Sequence, residues 1–124
     1  MSKTALVVDD SPTMRQMVAF TLTNAGFTVV EAEHGRDAVN KVTGGPKMDI
    51  VVTDLNMPEM HGIEVLQFVR AHKTYRDLPV VVLTTRGDQG SREEAAASGA
   101  TDYLTKPFQA GELLVHARKL LAEE

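Results

Sequence analysis

The sequence predicts a doubly wound α/β sandwich. Five short apolar runs alternate with five longer stretches of helical character, three of the runs are apolar almost throughout, and each β-α unit takes up about 25 residues. The runs are Ala5–Val8, Thr28–Val30, Ile50–Thr53, Val80–Thr84 and Tyr103–Thr105. The first, third and fourth are nearly continuous Val, Leu, Ile and Ala. That is the pattern of parallel strands covered on both faces, whereas half-exposed hairpins would alternate polar with apolar.

The helical stretches carry their own punctuation. After the first run, Ser11-Pro12 offers an N-cap with proline at the first helical position. Met14, Met17, Val18 and Thr21 then recur at helical spacing, and Gly26 sits where a C-terminal glycine belongs. Gly35–Val42 reads as a shorter helix ended by the Gly44-Gly45-Pro46 loop. Gly62–Ala71 places Ile63, Leu66 and Val69 on one face. Ser91 and Glu94 have capping-box spacing ahead of an alanine-rich helix ending near Gly99. Leu113, Ala117, Leu120 and Leu121 mark the last helix. No linker, low-complexity tract or internal repeat interrupts the chain, so one domain over residues 1–124 is expected.

Composition limits the function classes. A chain of 124 residues has room for one ordinary core and can fold without staples. It has no cysteine, which excludes disulfide frameworks, thiolate metal sites and cysteine nucleophiles. A net charge of −4 argues against a general nucleic-acid binder. Apolar runs such as Val80–Leu83 are too short to span a bilayer, and no secretory pattern opens the chain. A cytoplasmic protein that binds neither membrane nor nucleic acid is the plain expectation.

Function in such a sheet gathers at the carboxyl ends of the strands, near the point where strand order reverses. Asp9 and Asp10 close the first strand and Asp54 closes the third; in the order 2-1-3-4-5 these strands are neighbours and the three carboxylates converge. Two such charges about 4 Å apart repel by roughly 4 kcal/mol at an effective dielectric near 20. A hard divalent cation resolves that conflict, and an all-oxygen site with open positions suits Mg²⁺ and a phosphate group. Any one aspartate alone would read as a cap for the helix or turn that follows. Thr84 ends the fourth strand with a hydroxyl, and Lys106 ends the fifth with a positive charge. Carboxylate nucleophile, metal, hydroxyl donor and ammonium together make a phosphoryl-transfer site.

At this point the chain resembles the receiver domains of two-component response regulators across essentially its whole length. The resemblance is carried by Val7-Val8-Asp9-Asp10-Ser11, Thr53-Asp54-Leu55-Asn56-Met57-Pro58-Glu59-Met60, Leu83-Thr84-Thr85 and Tyr103-Leu104-Thr105-Lys106-Pro107-Phe108. The opening Asp9-Asp10-Ser11-Pro12-Thr13-Met14-Arg15 looks most like the chemotaxis, or CheY-like, single-domain branch. The resemblance implies the flavodoxin-like fold with five helices. It makes Asp54 the phosphoacceptor and puts Mg²⁺ among Asp9, Asp10, Asp54 and the backbone carbonyl of Asn56. Thr84 and Lys106 would contact phosphoryl oxygens, and Tyr103 would be the aromatic switch that swings inward as Thr84 moves. It also implies a cis bond between Lys106 and Pro107. A member of this family catalyses only its own phosphorylation and dephosphorylation, so it is a switch and not a turnover enzyme. The expected partners are a histidine kinase and a protein effector docked on the face of the fourth helix, fifth strand and fifth helix, with the domain itself a monomer.

The sequence departs from the family pattern in places. His61 stands before Gly62 where aspartate is usual, and histidine is a poorer N-cap. Asn56, Thr85 and Arg86 should flank the approach of a hydrolytic water: Asn56 can orient one, Thr85 narrows the entrance, and Arg86 cannot accept a hydrogen bond. These three are therefore expected to tune phosphoryl lifetime. The four histidines lack metal-ligand spacing and read as surface or loop residues, and the six methionines as core and loop fillers. Competing readings are a receiver used as a phosphate sink or excised from a hybrid kinase, one that has lost phosphorylation, and, more distantly, a haloacid dehalogenase-type phosphatase. The last needs an Asp-x-Asp pair and a substrate-covering insert, whereas Asp9 and Asp10 are adjacent and only loops separate the elements.

Overall fold

The computed structural model describes residues 3–54, 62–84, 89–105 and 110–122. Strands and helices alternate through them as β1 (Thr4–Val8), α1 (Pro12–Asn24), β2 (Thr28–Ala32), α2 (Gly35–Gly44), β3 (Ile50–Asp54), α3 (Gly62–Ala71), β4 (Val80–Thr84), α4 (Gln89–Ala97), β5 (Asp102–Thr105) and α5 (Ala110–Ala122). The sheet is parallel throughout, in the order β2-β1-β3-β4-β5. β1, β3 and β4 are the central strands, and nearly every residue in them is buried. β2 and β5 form the edges and keep charged or half-exposed residues, as edge strands do.

Alternation along the strands sorts the core into two layers. Leu6, Val8, Val51, Val80 and Val82 point to one face and meet Ala38 and Val42 of α2, Val65, Leu66 and Val69 of α3, and Ala95 of α4. Ala5, Val7, Ile50, Val52, Val81 and Leu83 point to the other and meet Val18 and Leu22 of α1 and Leu113 and Ala117 of α5. Helices cover both faces, as the near-continuous apolar strands require. None of the helices among the described residues is long and apolar enough to cross a membrane.

Most elements lie where the sequence puts them, with particular differences. β2 runs two residues further, to Ala32, because Val7 and Val8 of β1 continue the ladder opposite Glu31 and Ala32. On α1 the buried stripe is Val18, Ala19 and Leu22, while Met17 is 46% exposed. The expected face of Met14, Met17, Val18 and Thr21 is therefore rotated by part of a turn, since i+3 and i+4 spacings both fit a helical period. α4 starts at Gln89, so Ser91 lies inside its first turn and not at its cap. The i, i+3 spacing of Ser91 and Glu94 is also that of neighbours on one helical face. Ser11 does cap α1, its Oγ accepting from Met14 N–H at 3.3 Å, and Gly26 follows with φ +99°.

Candidate functional site

The register brings the acids together. Val8 pairs with Thr53 across β1 and β3, so Asp9, just past β1, lies beside Asp54 at the end of β3. Asp9, Asp10 and Asp54 each present a carboxylate oxygen within 4.8 Å of the others, the arrangement expected from the sequence. Their surroundings differ. Asp9 is buried, with 4% of its surface exposed, whereas Asp10 is exposed and Asp54 half-buried.

Asp9 and the Asp54 main chain are held by local bonds. The Asp9 main chain extends the sheet, its N–H donating to Ala32 O at 3.2 Å. Its Oδ1 accepts the Ser11 N–H at 2.9 Å, so the residue that caps α1 also fixes the Asp9 side chain. Arg15, one turn into α1, donates from Nη1 to the Asp9 carbonyl at 2.8 Å and pairs through Nε with Glu31 of β2 at 3.1 Å. This clamp was not visible in the sequence beyond the bare presence of Arg15, because it joins a helix to the neighbouring strand. Below Asp54, the Thr53 hydroxyl donates to the Asp54 carbonyl at 3.0 Å.

Asp54 lies opposite Leu83, which places Thr84 one residue further toward the carboxyl rim of the sheet, fully buried. Thr84 in turn lies opposite Thr105, and Tyr103 two residues back lies opposite Val82. Tyr103 is half-buried against the α2–α4 layer. Asn56, His61, Thr85, Arg86, Lys106 and Pro107 lie outside the described residues.

The donor set fits a hard cation. Oxygens around six-coordinate Mg²⁺ sit at about 2.1 Å from the ion and so about 3 to 4 Å from one another, a range compatible with three carboxylate oxygens that all lie within 4.8 Å. Three carboxylates with no nitrogen or sulfur among them favour Mg²⁺ over softer metals. A cavity of about 370 Å³ lies at the opposite, amino end of β3 and β4, lined by Val42, Met48, Tyr75, Leu78 and Pro79 among others. It is remote from the acids and has no part in this chemistry.

Three of the four histidines, expected from the sequence to be surface or loop residues, lie among the described residues and make defined contacts. His34 caps α2, its Nδ1 accepting the Asp37 N–H at 3.2 Å. His72 makes tilted ring contacts with Phe68 and with Tyr75, at centroid distances of 5.7 and 4.5 Å. His116 of α5 pairs through Nδ1 with Asp102 of β5. The first two contacts are local, within three or four residues, whereas the His116–Asp102 pair joins a helix to a strand and no local spacing records it.

The comparisons with known proteins agree with this geometry. Residues 5–118 match the response regulator receiver domain. A chemotaxis protein CheY homolog of Campylobacter jejuni is 44% identical over 104 residues, covering 83% of this chain and 80% of its own. The structure of Vibrio cholerae CheY4 superposes with a TM-score of 0.91 at 38% identity, over 98% of this chain and 100% of that one. A receiver domain of a Pseudomonas aeruginosa sensor histidine kinase, with a magnesium ion coordinated in its active-site cleft, superposes at 0.90 and 27% identity, over 98% of this chain and 99% of its own. The fold, the acid cluster and these likenesses converge, and the chain belongs to the response regulator receiver family.

Proposed function

We propose that this receiver accepts a phosphoryl group from a histidine kinase on Asp54, in a Mg²⁺-dependent reaction, and thereby switches a protein-binding surface in chemotaxis or motility signalling. The observation that carries the reading is the meeting of Asp9, Asp10 and Asp54 at the rim of the sheet, beside the buried Thr84. In the reaction an Asp54 carboxylate oxygen forms a bond to phosphorus as the P–N bond to the kinase histidine breaks, and the electron pair stays with the imidazole. Asp9, Asp10, Asp54 and the Asn56 carbonyl would hold Mg²⁺, which when bound supplies positive charge against the acids and the phosphoryl oxygens. Thr84 donates its hydroxyl to one phosphoryl oxygen and Lys106 its ammonium to another, while Tyr103 turns inward behind Thr84. Asn56, Thr85 and Arg86 set how long the phosphoryl group survives.

The CheY-type relatives favour chemotaxis, with the effector on the α4–β5–α5 face, the domain a cytoplasmic monomer, and the receiver filling residues 1–124. The Pseudomonas neighbour is the observation in favour of a second reading, a receiver from a hybrid kinase or a phosphate sink, though at lower identity. Incubation with acetyl phosphate tests the chemistry. The expected result is Mg²⁺-dependent incorporation of one alkali-labile phosphoryl group per chain. No incorporation, or incorporation indifferent to chelator, overturns the reading.

A further inference from the structure

Arg92 of α4 has no part in the reaction above, yet it touches two β5 residues that share a face with Thr84. Alternation turns Val82 and Thr84 of β4, and Tyr103 and Thr105 of β5, toward the layer of α2, α3 and α4. The Arg92 guanidinium lies over the Tyr103 ring, 4.7 Å from its centroid. Its Nη2 donates to Thr105 Oγ1 at 3.0 Å, and Thr105 is the residue paired with Thr84. One exposed side chain thus clasps the ring and the strand position next to the buried hydroxyl. The main chain at Tyr103 is held separately. Its N–H donates to Asp102 Oδ1 at 2.8 Å, and Asp102 Oδ2 pairs with His116 Nδ1 of α5. With the strand fixed in this way, the principal freedom left to Tyr103 is rotation of its ring, and Arg92 lies against that ring.

We propose that Arg92 is a positioning residue that holds Tyr103 in its half-buried orientation and so biases the domain toward the unphosphorylated conformation. The proposal rests on Tyr103 being the residue that turns inward on phosphorylation. A ring that turns toward Thr84 leaves the guanidinium behind, so the cation–π attraction acts on one side of the equilibrium only. At an exposed site that attraction amounts to a factor of about two to five. By linkage, whatever favours the half-buried ring weakens, by the same factor, any ligand that favours the inward ring. Arg92 sets the balance of the switch without touching the phosphoryl group.

Fluorine NMR of the fluorotyrosine-labelled protein tests this, because the chain has only two tyrosines, Tyr75 and Tyr103, and Tyr75→Phe assigns their signals. Beryllofluoride with Mg²⁺ stands in for the phosphoryl group. Arg92→Met keeps the apolar stem and removes the cation, Arg92→Lys keeps the cation, and the exposed position lets both variants fold. In the parent, beryllofluoride is expected to move the Tyr103 signal to a new position. In Arg92→Met without ligand, the signal should already lie part of the way there, beryllofluoride should bind about two- to five-fold tighter, and Arg92→Lys should restore most of the parent behaviour. A responsive parent, with the Tyr103 signal and the beryllofluoride affinity both unchanged in Arg92→Met, overturns the role of Arg92 alone. A parent Tyr103 signal indifferent to saturating beryllofluoride overturns the switch reading beneath it, and the proposal with it.

Discussion

Asp9 and Asp10 are adjacent in sequence but differ in what they can lose. Asp9 is buried and its Oδ1 is engaged by the Ser11 N–H, whereas Asp10 is exposed and adds a third negative charge to the cluster. Removing the Asp10 charge should therefore relieve repulsion at little structural cost. Solvent screening reduces the gain to about 1 kcal/mol, or about 3–5 °C in Tm for a domain of this size. Asp10→Asn is expected to melt higher than the parent without metal, to gain less from Mg²⁺, and to bind it more weakly in a calorimetric titration. A variant that melts lower without metal and binds Mg²⁺ as the parent does would contradict this. At this scale the carboxylates were legible in the sequence because each sits at a strand end, where chain direction and strand order fix its position. Arg15, Arg92, Asp102 and His116 were not, since their partners lie on other elements and nothing in local spacing records them.

The loops that join α3 to β4 and α4 to β5 are tied by a single side chain, Arg70. Its Nε donates to Gly99 O at 2.9 Å, Nη1 to Leu78 O at 2.6 Å and Arg76 O at 3.0 Å, and Nη2 to Thr101 Oγ1 at 3.0 Å. Thr101 Oγ1 also accepts the Val80 N–H at 3.0 Å, so the guanidinium braces the start of β4. Burial lowers the Arg70 pKa from its usual value, and Asp77 partly offsets this by favouring the charged form. Arg70→Met should cost about 1–3 kcal/mol in urea denaturation, because several carbonyls lose a charged donor at once. Gly99 and Gly26 both have positive φ, at +106° and +99°. A Cβ at Gly26 meets nothing within 4 Å, but one at Gly99 would come 2.5 Å from Arg70 Cγ. Gly26→Ala should therefore cost about 1 kcal/mol of backbone strain, and Gly99→Ala distinctly more. In a double-mutant cycle Arg70→Ala, which removes the clashing Cγ, should recover the excess at position 99; equal costs at the two glycines, or strict additivity, would remove Arg70 from this account. Gly26 was readable as a helix terminator, whereas the reliance of Gly99 on Arg70 was not, because it joins residues 29 apart.

Across the whole molecule, the sheet does the assembling. Two central strands in parallel register carry Asp9 and Asp54 to the same rim, β4 adds Thr84 beside them, and two helical layers seal the apolar faces below. This much followed from the alternation of apolar runs and helical stretches, since near-continuous Val, Leu and Ile in three runs leaves a doubly covered parallel sheet as the simplest solution. The rotation of α1 and the first turn of α4 did not follow, because a helical period fixes that a face exists and not which residue lies at its centre. The topology brings three acids to one rim, and the proposed phosphoacceptor among them is Asp54, the role that the receiver likeness implies, and neither Asp9 nor Asp10. Reductive trapping tests it most directly, because borohydride converts an aspartyl phosphate to homoserine, which peptide mapping then locates. After loading with acetyl phosphate and Mg²⁺, homoserine is expected at position 54 alone, and it should vanish in Asp54→Asn and in chelator. Homoserine at position 9 or 10 in the parent, or full phosphate incorporation by Asp54→Asn, would contradict the account.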